Sequence, residues 1–244
     1  MKTVKEVFDA EKPIIGMLHL SGFGRDEVME IARREIDIMY RNGVNAVLVE
    51  NYFGDETDVE NTLKYLQHEY PDKVYGVNIL GDPDVAFDLA RKYGAKFVQI
   101  DSVCGHALPQ HDAQLAKYLD QLRGDRDIFL LGGVRFKYTR HLSGRSLEED
   151  LKLGMERCDA IVVTGDGTGI STYLEKIKTF RTILEDFPLI VGAGMTAETA
   201  QEQLAFSNGA IVGSYFKEFG AEEYPVDEER VKEFVCNARA DNGV

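Results

Sequence analysis

Two glycine-rich turns near the C-terminus are the segments best suited to binding an anion. Each follows a short apolar run, the first at 189–191 and the second at 210–212. Thr196 after the first turn is a good N-cap residue, so a helix is predicted to begin there. Backbone N–H groups at a glycine turn and at a helix start point together at an anion such as a phosphate. The residues predicted to bind phosphate in these turns are Gly192, Gly194, Gly213 and Ser214.

A third glycine-rich segment, at 164–169, reads TGDGTG and directly follows another apolar run. Alternating glycines let a backbone approach a ligand closely. Gly165, Gly167 and Thr168 are therefore predicted to contact the phosphate, and Thr164 the rest of the substrate. Asp166 is a candidate general base, or a partner for a sugar hydroxyl. The structural alternative is a surface turn in which Asp166 accepts hydrogen bonds from its own backbone.

Two carboxylates, Glu50 and Asp101, end the second and the fourth apolar run. In a barrel the side chains of alternate strands share one inward layer, so these two groups are predicted to meet. Such a pair does acid–base work if burial separates the two pKa values. The alternative, a pair of structural carboxylates that accept from loop N–H groups, is equally compatible with the sequence.

Three further polar residues end the same runs. His19 follows the first run and is a catalytic candidate, although a lone histidine is more often a hydrogen-bonded core residue. Asn51 and Asn78 are predicted to contact the substrate. A divalent metal held by His19, Glu50 and Asp101 is compatible with the residue types, but no spacing demands it, so no cofactor is predicted.

Lys137 follows the fifth run within the segment GGVRFKYTRH. A lysine there could form a Schiff base, polarise a carbonyl group or pair with a phosphate. The alternative is a solvated loop lysine, and Arg135 and Arg140 compete for the phosphate-pairing role.

Eight short apolar runs alternate with amphipathic segments along the whole chain. The runs are rich in Val, Ile, Leu and Phe without polar alternation, which is typical of parallel strands covered on both faces. The predicted strands are 14–19, 46–50, 74–79, 97–101, 128–134, 160–164, 189–191 and 210–212. Eight uninterrupted βα units in 244 residues predict one domain, 1–244, folded as a single (β/α)8 TIM barrel. A doubly wound sheet is less favoured because no GxGxxG follows the first strand.

The composition excludes several classes of partner. The formal net charge is −14, which disfavours nucleic acid and an anionic membrane surface. No apolar run approaches the length of a membrane span, and the N-terminus has no apolar signal segment. Three widely spaced cysteines show no zinc-binding pattern. We therefore expect a cytoplasmic protein that binds a small phosphorylated molecule. A homo-oligomer is expected only because such barrels commonly form one.

Several blocks of this sequence resemble the BtpA family, also called the BtpA/SgcQ group. The blocks that carry the resemblance are 13–20 (PIIGMLHL), 49–51 (VEN), 76–80 (GVNIL), 159–169 (DAIVVTGDGTG), 191–196 (VGAGMT) and 209–214 (GAIVGS). The resemblance spans nearly the whole chain and implies a TIM barrel, but no settled reaction. The namesake of this family is linked to photosystem I accumulation, and other members are linked to sugar-uptake and sugar-metabolism genes. On strand five the family's usual Asp-Val-His-Val-Lys-His is replaced by 133–138 (GVRFKY), which retains only the lysine, Lys137.

Two functions of different kinds are compatible with the sequence. The first is an enzyme of the isomerase, epimerase or aldolase-lyase type that acts on a sugar or polyol phosphate. The second is a non-catalytic accessory or assembly protein on a barrel scaffold, as the family's namesake suggests. A nucleotide phosphohydrolase fits less well, because the sequence has neither a P-loop nor an evident metal-binding cluster.

Overall fold

The strands and helices alternate through the part of the chain that the structure describes. The structure is a computed structural model and describes residues 2–124 and 126–240. Its strands are β1 (Ile14–Leu18), β2 (Ala46–Glu50), β3 (Val74–Asn78), β4 (Phe97–Cys104), β5 (Phe129–Val134), β6 (Ala160–Val163), β7 (Leu189–Val191) and β8 (Ala210–Val212). Its α-helices are α1 (Val4–Phe8), α2 (Arg25–Arg41), α3 (Glu56–Glu69), α4 (Pro83–Tyr93), α5 (Asp112–Arg123), α6 (Leu147–Arg157), α7 (Leu174–Leu184), α8 (Ala197–Leu204) and α9 (Glu228–Arg239).

The eight strands close into one parallel barrel in chain order, with β8 paired to β1. The predicted TIM barrel is therefore confirmed, and the doubly wound alternative is excluded. The strands are buried on both faces, as their unbroken apolar sequences indicate. β4 is longer than predicted and continues to Cys104 through a register shift after Ile100.

Two apolar layers hold the barrel together. The larger layer lies between the strands and the surrounding helices, and the smaller one fills the barrel interior. The short helix α1 closes the N-terminal end, where the Phe8 ring packs 5.0 Å from that of Phe97 and 6.0 Å from that of Phe129. The sequence analysis did not identify α1, although Thr3 and Glu6 form a capping box at its start.

The βα loops lie at the end of the barrel opposite α1, and each loop ends where the next helix begins. Ser146 and Glu149 form a capping box at the start of α6. Thr196 is the N-cap of α8, with Thr199 as its capping-box partner. These caps satisfy backbone N–H groups that would otherwise lack acceptors, and so fix where each loop ends. Within residues 2–124 and 126–240, no helix is long and apolar enough to cross a membrane.

A buried ion pair anchors the segment between β8 and α9. Short 3-10 helices at Ser214–Phe216 and Glu218–Gly220 follow β8. Lys217 between them is fully buried and donates to Glu35 of α2 at 2.6 Å. The same carboxylate oxygen accepts from the Val226 N–H at 3.0 Å. Both ends of this segment are therefore tied to one side chain.

Removing the acidic partner of this pair should destabilise the protein strongly. Glu35→Ala leaves the Lys217 ammonium buried without its counter-ion, which costs about 3–5 kcal/mol. Asp37→Ala on the same helix is the matched control, because it breaks only an exposed pair with Arg41, a contact worth about 1 kcal/mol or less. Urea unfolding measures both, and an equal small loss in the two variants would contradict the anchoring role.

Candidate functional site

The C-terminal ends of the strands surround a small cavity, and many of the predicted site residues lie on its wall. The predicted residues that line it are His19, Glu50, Lys137, Thr168, Gly192, Gly194, Gly213 and Ser214. They come from six different strand ends or loops, so the closed barrel brings them together. The cavity also has an apolar side, formed by Met17 and Ile211.

Two carboxyl groups meet at one amide beside the cavity. Asn78 Nδ2 donates to Glu50 Oε1 at 2.8 Å and to Asp101 Oδ1 at 3.1 Å. The Gln99 side-chain amide donates to the same Asp101 oxygen at 3.0 Å. The predicted meeting of Glu50 and Asp101 is thus present, and Asn78 bridges them instead of pointing freely at a substrate.

Glu50 is the carboxyl group with the most altered acidity at this mouth. Burial, helped by the negative charge of Asp101, raises the pKa of Glu50 to about 7. The positive charge of Lys137 and the hydrogen bond from Asn78 oppose this shift without cancelling it. A carboxyl group with such a pKa can both take and return a proton near neutral pH.

His19 is a neutral imidazole over the whole physiological range. Burial, helped by the positive charges of Lys217 and Lys137, lowers the pKa of His19 to about 3. Its Nδ1 atom is buried and has no hydrogen-bond partner among the described residues. One ring edge faces Gly213, where an added Cβ would lie 3.0 Å from His19 Cε1. His19 can therefore offer a hydrogen bond to a ligand without bringing a charge.

Lys137 is held by the loop between β6 and α7. Its backbone N–H donates to Thr164 Oγ1, and its ammonium Nζ donates to Thr168 Oγ1, both at 2.9 Å. Tyr138 binds the same loop, because its hydroxyl accepts from the Thr168 N–H at 2.9 Å. The ammonium group thus lies at the cavity wall at a defined position.

Several residues on this wall have backbone N–H groups without an acceptor among the described residues. They include Gly169, Ala193, Gly194, Gly213 and Ser214, which come from the loops after β6, β7 and β8. Unpaired N–H groups beside one cavity are suited to binding an anion. Their origin in these loops fits the phosphate-binding role predicted for these turns.

The loop after β6 covers the glycine turn after β7. An added Cβ at Gly194 would lie 2.3 Å from the Ile170 carbonyl oxygen, and the Thr172 hydroxyl donates to the Ala193 carbonyl at 3.0 Å. The free space left in the cavity is about 30 Å³, far less than a phosphorylated sugar fills. Movement of this loop would enlarge it.

Several predicted residues lie outside the cavity. Asp166 is exposed on the outer side of its loop. The Asn51 side-chain oxygen Oδ1 accepts from the Leu80 N–H at 2.7 Å and so fixes the loop after β3. Gly165 lets the chain fold back closely on Ile170 and Ser171, and Gly167 packs against Ile170 and Tyr138. Thr164 holds the Lys137 backbone, as described above.

Two residues of the site were not identified from the sequence. Gln99 lies two residues before Asp101, so the alternation of a strand places both side chains inside the barrel. Tyr52 lines the cavity from a loop whose conformation the sequence does not define. Gln99 was detectable as a polar residue in an otherwise apolar strand, whereas Tyr52 carries no comparable signal.

No three His, Cys, Asp or Glu side chains converge on a position that could hold a metal ion, within the described ranges 2–124 and 126–240. In this structure His19 packs against aromatic rings, 5.0 Å from Tyr52 and 6.3 Å from Phe53 between ring centroids. Glu50 and Asp101 are instead joined through Asn78.

Comparison of the sequence identifies relatives along nearly the full chain. The sequence model of the BtpA family matches residues 10–240. Relatives include a Thermococcus kodakarensis protein, 29% identical over 92% of this chain and 94% of its own. The photosystem I biogenesis protein BtpA of Synechocystis sp. is 25% identical over 94% of this chain and 89% of its own. The sgc region protein SgcQ of Escherichia coli is 25% identical, covering 96% and 97%.

Solved structures share the fold at low sequence identity. A native KDPGal structure superposes with a TM-score of 0.66 at 16% identity, over 94% of this chain and 96% of that one. The 3-hexulose-6-phosphate synthase of Salmonella typhimurium gives 0.61 at 15%, over 93% and 98%. Phosphoribosyl anthranilate isomerase of Thermus thermophilus gives 0.62 at 13%, over 92% and 97%. These similarities establish the barrel architecture.

Replacing Glu50 by Gln should remove a pH dependence of stability. The folded protein binds the Glu50 proton more tightly than the unfolded chain does, since the pKa rises from 4.5 to about 7. The contribution of this group to stability is therefore present below pH 4.5 and is lost as pH rises through 7. A shift of this size corresponds to roughly 3 kcal/mol at most.

Urea unfolding at pH 4, 6 and 8 measures this effect. Glu50→Gln should gain stability relative to the wild type as pH rises, whereas the exposed control Glu202→Gln should not. A constant difference between wild type and Glu50→Gln across this range would show that the carboxyl group titrates normally.

Replacing Gly194 by Ala should lift the loop after β6. The new Cβ would collide with the Ile170 backbone at 2.3 Å, and the left-handed φ of 63° adds strain. Gly144→Ala is the matched control, because its φ is 69° and nothing lies within 4 Å of the new Cβ. Hydrogen exchange of residues 165–173 should accelerate at least tenfold in Gly194→Ala only. Equal exchange in both variants would mean that the loop does not rest on Gly194.

Proposed function

Since the chain belongs to the BtpA family, we propose on that premise and on the site geometry that it is an enzyme acting on a small phosphorylated metabolite. The substrate is a sugar or polyol phosphate, and the reaction is of the isomerase, epimerase or aldolase-lyase type. In these reactions a proton moves at carbon beside a carbonyl group, or a carbon–carbon bond there is broken.

The phosphate group binds at the edge formed by the loops after β6, β7 and β8. The unpaired N–H groups of Gly169, Gly194 and Ser214 support this position. The Lys137 ammonium lies on the wall of the same cavity, where it adds a positive charge. In TIM barrels a phosphate site is frequently formed after strands seven and eight, which supports the same assignment.

Glu50 acts as the general acid–base residue. It takes a proton from the carbon beside the substrate carbonyl and returns a proton to the neighbouring carbon or to the product. The observation that carries the proposal is the pKa of about 7 for this buried carboxyl group on the wall of the cavity. Asn78 holds the carboxyl group in place, and Asp101 helps to keep the proton affinity high.

Lys137 stabilises the negative charge that develops on the carbonyl oxygen during proton transfer. Its ammonium donates to Thr168 in the ligand-free protein, and it can exchange this acceptor for a substrate oxygen. The neutral His19 ring can donate a further hydrogen bond to the same oxygen or to a hydroxyl group. A fixed donor that faces developing charge is usually the largest single contribution to such catalysis.

Two solved structures with this fold are enzymes named for phosphorylated sugars. One is the 3-hexulose-6-phosphate synthase and the other is the phosphoribosyl anthranilate isomerase. Because a shared barrel does not define a reaction, these names support the proposal only by analogy. Action without a cofactor, a cytoplasmic location and a homo-oligomeric state stay predictions.

A second candidate function is that of an accessory protein in assembly. The Synechocystis relative is named for photosystem I biogenesis. The βα face also exposes large apolar side chains, such as Phe23, Tyr138 and Phe219, which a partner protein could cover. This function requires no turnover, so ligand binding separates it from the first.

Thermal unfolding with a panel of ligands tests the phosphate site. The panel holds inorganic phosphate, sugar phosphates, polyol phosphates and nucleotides, each with and without a divalent metal. A ligand at 100 times its Kd should stabilise the wild type by about 2.7 kcal/mol. Gly213→Asp should abolish this shift by placing a carboxylate at the anion site. Gly213→Ala is the control, because its Cβ requires only a small movement of His19.

The proposed proton transfer is tested by measuring the exchange of solvent hydrogen into a ligand that stabilises the protein in the thermal panel. Glu50→Gln should keep the thermal shift but lose about 100-fold or more of the exchange rate. A panel without any shift would favour the accessory protein instead. Unchanged exchange in Glu50→Gln would overturn the role of this carboxyl group.

A further inference from the structure

Large apolar side chains are exposed on one face of this molecule. Among the residues that the structure describes, each exposed large hydrophobic side chain lies in a loop that follows a strand. The clearest examples are Phe23 (95% exposed), Phe219 (82%) and Tyr138 (76%). Over residues 2–124 and 126–240, the helices that form the outside of the barrel present none, so the described apolar surface surrounds the cavity mouth.

The aromatic part of this surface continues directly from the cavity wall. Tyr52 lines the cavity, and its ring packs 5.0 Å from the buried His19 ring. Phe53 packs on Tyr52 at 4.9 Å and on His19 at 6.3 Å. We call His19, Tyr52 and Phe53 the aromatic wall. Tyr138 lies on the Lys137 side, where its hydroxyl binds Thr168.

The aromatic wall begins at the anion-binding edge. His19 Cε1 and Nε2 are the atoms closest to Gly213, at 3.0 and 3.3 Å from the position of an added Cβ. Tyr52 lies one ring further from the edge, and about 38% of its surface is exposed. A ligand whose phosphate binds at Gly213 and Ser214 therefore extends along His19 and reaches Tyr52 and Phe53.

This arrangement deepens the proposed function and rests on it. We propose that the substrate carries a planar aromatic or heteroaromatic ring beyond its phosphorylated sugar, and that this ring stacks on the aromatic wall. The wall is uncharged and aromatic, which suits a planar apolar group. The anion-binding edge and Lys137 bind the phosphorylated end of the ligand. The two ends of the ligand therefore contact different kinds of group, charged or polar at one end and aromatic at the other.

A protein surface is the other occupant that could cover these rings. The geometry favours the ligand, because the aromatic wall is part of the cavity that contains Glu50 and Lys137. A protein partner needs only the exposed rim and gives no reason for Tyr52 to pack on a buried His19. The contact of the tilted Tyr52 ring with His19, a residue of the cavity wall, is thus the observation that selects between the two.

A matched pair of ligands tests this inference. Ribose 5-phosphate and uridine 5′-monophosphate share the phosphate and the ribose, and only the second carries a ring. Calorimetric titration of the full chain should give at least tenfold tighter binding of the nucleotide. Tyr52→Leu should reduce this ratio to about two or less, whereas Tyr52→Phe should retain it. Tyr65→Leu on the outer face of α3 is the control for loss of a tyrosine elsewhere.

The outcomes separate this inference from the function on which it rests. If neither ligand nor any other phosphorylated compound of the thermal panel binds, the proposed function fails and the inference fails with it. If both ligands bind with equal affinity, the function stands and the inference is overturned, which leaves the aromatic wall to a protein partner. A tenfold ratio that persists in Tyr52→Leu also overturns it.

Discussion

In a closed barrel, every second side chain of each strand points into the same interior, and a polar side chain there has to find its partners at the mouth. Glu50, Asn78 and Asp101 come from three neighbouring strands, and they satisfy one another because no water-filled space separates them. The apolar residues below them fill the barrel, and α1 seals its base. The unusual acidity of Glu50 follows from this enclosure. On an open sheet the same carboxyl group would be solvated, and its pKa would be close to the usual value.

The strands and their order could be predicted from the sequence, because apolar runs and glycine turns are local signals. The meeting of Glu50 and Asp101 could also be predicted, since it needs only the count of strands and the layer rule of barrels. The bridging role of Asn78 could not, because it depends on the register between β2, β3 and β4. Asp166 shows the same limit for loops: Thr168 and Gly169, two and three residues further along, line the cavity, yet the Asp166 side chain is exposed and lies outside it.

The loop after β6 joins three parts of the site. It holds Lys137 through Thr164 and Thr168, rests on Gly194, and contributes the Gly169 N–H to the cavity wall. Movement of this loop therefore changes the position of the ammonium group and the access to the anion edge at the same time. A ligand that displaces it can replace the acceptor that Lys137 loses, because it offers oxygen acceptors to both Lys137 and the backbone.

The short helix α1 has a consequence for the path of hydrogen atoms. Because Val4, Val7 and Phe8 close the base of the barrel, solvent reaches Glu50 only through the mouth. A ligand seated at the mouth would narrow that route while the reaction proceeds. A deuterium atom taken from one carbon by Glu50 would then return to the same molecule in some turnovers, and solvent hydrogen would replace it in the others. The product would retain part of the isotope, in a proportion set by how often the mouth opens to solvent.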